Sequence, residues 1–117
     1  MKRDMDLIRK ILRAVEESAF KPGILQIDGY TSEEVAYHSK LLCDEELITG
    51  LDVSSQDGEG YLIEGLTWTG HDFLDASRND TVWNKAKEVI KDKGGGFTFD
   101  ILKSLLNKLL SEQVLGS

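Results

Sequence analysis

Thr31 and Glu34, three residues apart and flanked by Tyr30 and Val35, write a helix start into the middle of this chain. The threonine hydroxyl can accept the N–H of the third helical residue while the glutamate returns to the threonine N–H, and the flanking apolar pair can close over the joint. Val35, Leu41, Leu42 and Cys43 extend a buried stripe toward Leu47-Ile48. The chain beyond this stripe narrows the fold further. Leu47 to Val53 and Tyr61 to Leu66 suit strands, and Ser54-Ser55-Gln56-Asp57-Gly58-Glu59-Gly60 between them is rich in turn formers. A helix running into a β-hairpin is the arrangement of a wing.

The flanks fit the same plan. From Asp4 to Ser18 the residues Leu7, Ile8, Ile11, Leu12 and Val15 recur at helical spacing, with Arg9, Lys10, Arg13 and Glu16 on other faces. Asp4 and Asp6 sit at the end where the helix dipole favours anions, and Pro22-Gly23 closes the segment. Ile24 to Ile27 reads as a small strand. Beyond the wing a second start signal is expected, with Thr69 as cap, Asp72 three residues on, and Trp68 and Phe73 as staple. That helix should break near Arg78-Asn79. Asp80 then caps a helix lined by Val82, Trp83, Ala86, Val89 and Ile90, Gly94-Gly95-Gly96 forms a hinge, and Thr98 caps a last helix with Asp100 in its first turn. The expected class is α+β: a winged helix-turn-helix-like single domain over 1–117, with a two-stranded wing and extra C-terminal helices. Its core covers about 4–78, the helical extension about 80–113, and the hinge 94–96.

The stretch Val35-Ala36-Tyr37-His38-Ser39-Lys40-Leu41-Leu42-Cys43-Asp44-Glu45-Glu46-Leu47-Ile48 resembles the recognition helix of bacterial winged-helix regulators. Leu66-Thr67-Trp68-Thr69-Gly70-His71-Asp72-Phe73-Leu74 is similar to their exit from the wing, where Leu-Thr and a glycine open the next helix. Met1 to Leu12, together with Trp83-Asn84-Lys85, is similar to a domain-of-unknown-function family of small bacterial and phage proteins. That resemblance covers nearly the whole chain. It implies a winged-helix fold and a possible phage origin, and it brings no established activity or catalytic residue. The departures from regulators are specific. Tyr37 stands where an arginine or another polar base reader is common, Leu41 where a lysine is common, and Glu46 where a glycine ends the helix. A left-handed cap without glycine costs about 1 kcal/mol, so the helix exit is expected to be built differently. The segment before Thr31 is short for the first helix of a helix-turn-helix.

Charge turns this fold away from its usual ligand. No lysine or arginine lies between Lys40 and Arg78, and residues 22–80 hold those two bases against thirteen acids, a balance of −11 within a chain of net charge −7. Each phosphate neutralised on a duplex needs a cation, and base-reading side chains rely on phosphate contacts to position them. The expected function is therefore a noncatalytic interaction or regulatory module, with a protein partner favoured over nucleic acid. Its candidate partner-binding face comprises Glu33, Glu34, Tyr37, His38, Lys40, Asp44 and Glu45. The alternative is a DNA-binding regulator acting as a dimer, in which Tyr37, His38, Ser39 and Lys40 lie closest to the bases. Basic residues also occur as Lys2, Arg3, Arg9, Lys10 and Arg13, and as Lys85, Lys87, Lys91 and Lys93, where they more often solubilise a helix than grip a backbone.

The last helix supplies a second surface. Ile101, Leu102, Leu105, Leu106, Leu109 and Leu110 span about half its circumference, so Leu102, Leu105, Leu106 and Leu109 are candidates for a homodimer helix, or else core. Chemistry is poorly represented. His38, Cys43 and His71 are the only soft ligand candidates, five residues separate the first two, and no CxxC pair, HExxH, P-loop or GxSxG accompanies them. No cofactor, metal or catalytic activity is expected. One cysteine, no signal peptide and no membrane-length apolar run suggest a cytoplasmic protein.

Overall fold

Residues 2–18, 23–56, 58 and 60–116 are described by a computed structural model. They form α1 (Met5–Ser18), β1 (Gly23–Ile24), α2 (Ser32–Asp44), β2 (Ile48–Asp52), β3 (Tyr61–Leu66), α3 (Trp68–Ser77), α4 (Asp80–Asp92) and α5 (Phe99–Gly116). The fold is α+β, and its helix–strand–helix–hairpin order is compatible with a winged-helix-like arrangement. The sequence pattern suggests one domain with a break near 78–80. The structure divides into two compact units, Met1–His71 and Asp72–Ser117, at a point inside α3. Pro22, Asp57 and Glu59 lie outside the described residues.

In the first unit the sheet is antiparallel with order β1-β3-β2. Strand β1 is shorter than the expected Ile24–Ile27: Gly23 and Ile24 pair with Ile63 and Leu62, and the chain then turns, Tyr30 N–H donating to Ile27 O at 3.1 Å. No helix stands between β1 and α2, so the first helix of a helix-turn-helix is absent among the described residues. Leu7, Ile8, Ile11 and Leu12 of α1 pack the core with Val35 and Leu42 of α2 and Ile48 and Ile63 of the sheet. The polar face of α1 departs from expectation at Arg9, which is buried.

Helix α2 begins as its local chemistry dictates. Glu34 N–H donates to Thr31 Oγ1 at 3.1 Å and Thr31 N–H to Glu34 Oε1 at 3.0 Å. Its exit corrects the expectation. The left-handed cap is kept, with Glu46 at φ 60 in the position where glycine is favoured. Leu47 N–H returns to Leu42 O at 2.9 Å and Glu46 N–H to Cys43 O at 3.0 Å, a Schellman closure with Leu42 and Leu47 both buried. Those bonds and that burial outweigh the left-handed penalty. Glu46→Gly should therefore raise stability by about 1 kcal/mol in urea denaturation. Glu46→Ala, which removes the charge but not the strain, serves as the reference; equal stability of the two variants would refute the account.

The second start signal also shifts. Thr67, not Thr69, caps α3: Gly70 N–H donates to Thr67 Oγ1 at 3.0 Å, while Trp68 is 84% exposed and forms no staple. Thr67 is chosen because its own N–H donates to Leu47 O at 2.9 Å and its hydroxyl to Glu46 O, tying the wing exit to the end of α2.

In the second unit Asn79, one residue before the expected Asp80, caps α4 through Val82 N–H at 3.1 Å. Gly94 and Gly95 close that helix, Gly95 N–H donating to Ile90 O at 2.8 Å. Thr98 caps α5 as expected. Helix α5 packs on α4, and Phe73 lies edge-on to Trp83 and against Phe99, with ring centroids 6.4 and 4.6 Å apart.

Candidate functional site

Two turns separate Val35 from Leu42, so residues three and four after Val35 must share its buried face. Those residues are His38 and Ser39, and both are buried. The Ser39 hydroxyl donates to Val35 O at 2.7 Å. Asp4 N–H donates to His38 Nε2 at 2.8 Å, and His38 Nδ1 lies 2.8 Å from Glu34 O. A backbone N–H can only donate and a carbonyl only accept, so the ring carries its proton on Nδ1. His38 thus leaves the candidate face and Ser39 the set of base readers: one joins α1 to α2, and the other bonds its own helix. The helical period of the sequence was the signal that could have found them.

The same joint gathers other groups at the start of α1. Asp4 Oδ1 accepts Leu7 N–H at 3.1 Å, and the Tyr30 ring lies beneath Lys10 at 5.3 Å. Burial first, then the Asp4 carboxylate, raises the Tyr30 hydroxyl above its ordinary value.

The remaining face residues stay on the surface. Glu33, Lys40, Asp44 and Glu45 are exposed; Glu34 is half-buried and held in the capping box; Tyr37 is half-buried, its ring edge-on to His38. Sequence reasoning missed what lies beside Tyr37. Between α2 and the wing runs a groove of about 270 Å³ lined by Tyr37, Lys40, Asp52, Ser54 and Tyr61. Strand register brings its far wall together, since Asp52 pairs with Tyr61 across β2 and β3. Gly50 admits the Tyr61 ring: a Cβ there would stand 2.9 Å from Tyr61 Cε1 and 2.6 Å from Leu62 O. A lone glycine beside a bulge was the only sequence signal of this wall.

Hydrogen bonds from the Ser54 hydroxyl and N–H hold the Asp52 carboxyl below the usual carboxylate range, keeping it charged. Tyr61 is pushed up to about 12, first by its hydrogen bond with Cys43, then by burial and by the charges of Cys43, Asp44 and Asp52. Because the folded value lies above the unfolded one, this stabilisation is complete below pH about 10 and lost as pH rises through about 12. Cys43→Ala should lower the Tyr61 value toward that of free tyrosine in an ultraviolet alkaline titration. An unchanged titration curve would remove Cys43 as the leading cause.

The second candidate surface changes character. Leu102, Leu106 and Leu109 are buried within the protein, so three of the four dimer candidates already serve as core. Leu105 is half-buried, and Ile101, at 56% exposure, is the apolar residue of α5 most open to solvent among those described. Among the described apolar residues of α5, pairing could draw on Ile101, Leu105 and Leu110, which the core leaves at least partly open. Among the described residues no three His, Cys, Asp or Glu side chains group as a metal site, and no helix is long and apolar enough to cross a membrane.

Fold and site together define a small α+β protein in which a helix and an adjoining hairpin flank a tyrosine-walled groove that carries one carboxylate, Asp52, and one cation, Lys40. The chain belongs to the family described as "Hypothetical protein (DUF2513)", which matches residues 2–96. It is 42% identical over 117 residues to an uncharacterised protein of Haemophilus influenzae, covering 97% of this chain and 99% of that one. No solved structure matches.

Proposed function

We propose that this protein is a noncatalytic, cytoplasmic interaction or regulatory module that binds a protein partner through the outer side of α2 and the adjoining wing. The observation that carries the reading is the charge of that surface. Glu33, Asp44, Glu45, Glu46, Asp52 and Glu64 are exposed on α2, its exit and the two wing strands, with Lys40 the one cation there among the described residues. The inward turn of His38 and Ser39 supports it, because two of the four side chains nearest the bases in a DNA-reading pose are committed to the core. A surface of this sign repels phosphate and attracts cationic protein.

Fluorescence anisotropy of a labelled duplex at low salt, where electrostatic binding is strongest, tests the reading. No salt-sensitive binding is expected. In parallel, Glu33, Glu34, Glu45 and Glu46 are changed together to glutamine, which preserves the capping box. Partners recovered by pull-down should then be lost. Steep, salt-sensitive duplex binding, or an unchanged set of partners, would overturn the proposal.

A further inference from the structure

We infer that the groove between α2 and the wing receives an arginine side chain from a basic segment of the partner, stacked against Tyr37 and Tyr61 with its guanidinium on Asp52. The inference rests on the reading of this face as a protein-binding surface and adds its chemistry. Three features of the groove favour a planar cation. Two tyrosine rings contribute to its walls, and the faces of such rings attract cations, arginine more often than lysine. Asp52 is exposed at the groove's edge, and its carboxyl is held below the usual range and so stays charged. A carboxylate accepts more hydrogen bonds than the Ser54 groups supply, which leaves capacity for a forked guanidinium. Asp44 adds a second negative charge within reach of Tyr61. The volume of about 270 Å³ suits one long side chain and falls below the usual range for a whole small-molecule ligand.

Lys40 sets the sign of the test. It lines the same groove and acts electrostatically on Asp52, so its charge competes with an incoming guanidinium for that carboxylate. Its removal should strengthen binding of an arginine peptide. For a nucleic acid the same change must weaken binding, because Lys40 is the groove's cation.

The experiment titrates the full chain into a fluorescent oligo-arginine peptide at moderate salt, with oligo-lysine of equal length as comparison. Oligo-arginine is expected to bind more tightly than oligo-lysine. Asp52→Asn should weaken it about tenfold and Tyr37→Leu about fivefold, while Lys40→Ala tightens it severalfold. Asp52 is exposed, and leucine keeps apolar bulk beside His38, so both variants should fold; thermal melts verify this. Glu33→Gln, on the same acidic face but not among the groove residues, should change affinity less than twofold. If Asp52→Asn and Glu33→Gln weaken binding equally and Tyr37→Leu has no effect, the groove inference fails while the acidic-face reading stands. If oligo-arginine does not bind the wild-type protein even at low salt, both fail. Weaker binding by Lys40→Ala also overturns the arginine assignment.

Discussion

Gly70→Ala is expected to destabilise the first unit by about 3 kcal/mol, at the upper end of what overpacking costs. A Cβ built on Gly70 stands 2.0 Å from Leu47 O and 3.0 Å from Leu47 C, so it meets backbone that cannot rotate away. Leu47 is fixed from both sides. Its N–H closes the α2 cap on Leu42 O, and its carbonyl accepts Thr67 N–H. Room for a methyl group can come only from lengthening the Thr67 bond or opening the Schellman turn, and either one loosens the seam between helix and wing. The melting temperature should fall by roughly 10–20 °C. Gly65→Ala is the control, since nothing lies within 4 Å of its added Cβ. Equal melting temperatures for Gly70→Ala and the wild type would show that the seam tolerates displacement, and the close approach would then carry no energetic weight.

Gly70 also marks the boundary of what the sequence disclosed. A glycine opening the helix after the wing was legible by resemblance, but the carbonyl that excludes a side chain belongs to Leu47, twenty-three residues earlier. The same division recurs elsewhere. Caps that depend on neighbours three residues apart, at Thr31 and Thr98, could be read directly. The choice of Thr67 over Thr69 could not, because it is made by the end of α2 through Leu47 O and Glu46 O. Glu46 departs from expectation for a related reason. Its local preference opposes the left-handed cap, and the burial of Leu42 and Leu47 together overrides it. In the site, the acidic surface was legible because charge needs no geometry. The groove was not, since Asp52 meets Tyr61 only through a register that the irregularity between Thr49 and Gly50 sets.

His38→Ala should cost about 3 kcal/mol, close to the Gly70 effect but by a different route. The ring is buried at the contact of α1 with α2, so its removal leaves a cavity. It also strips Asp4 N–H of its acceptor at the start of α1, where helix N–H groups have no intrahelical partner. His38→Gln separates the two contributions. A glutamine carbonyl can reach the position of Nε2 and accept Asp4 N–H, so this variant should recover roughly half of the lost stability. His38→Leu fills the space without an acceptor and should recover less than glutamine if the hydrogen bond dominates. The wild-type ring offers an independent check, since nitrogen chemical shifts distinguish a protonated Nδ1 from a protonated Nε2. The bonds to Asp4 and Glu34 require the proton on Nδ1. A spectrum with the proton on Nε2 would place that hydrogen against the Asp4 N–H and rule out the joint as described. Agreement of the tautomer with a large alanine effect and a partial glutamine rescue would establish His38 as the polar link between α1 and α2. Of the candidate face on α2, Glu33, Tyr37, Lys40, Asp44 and Glu45 would then remain as the side chains the helix leaves at least partly outside, with Glu34 held at its cap.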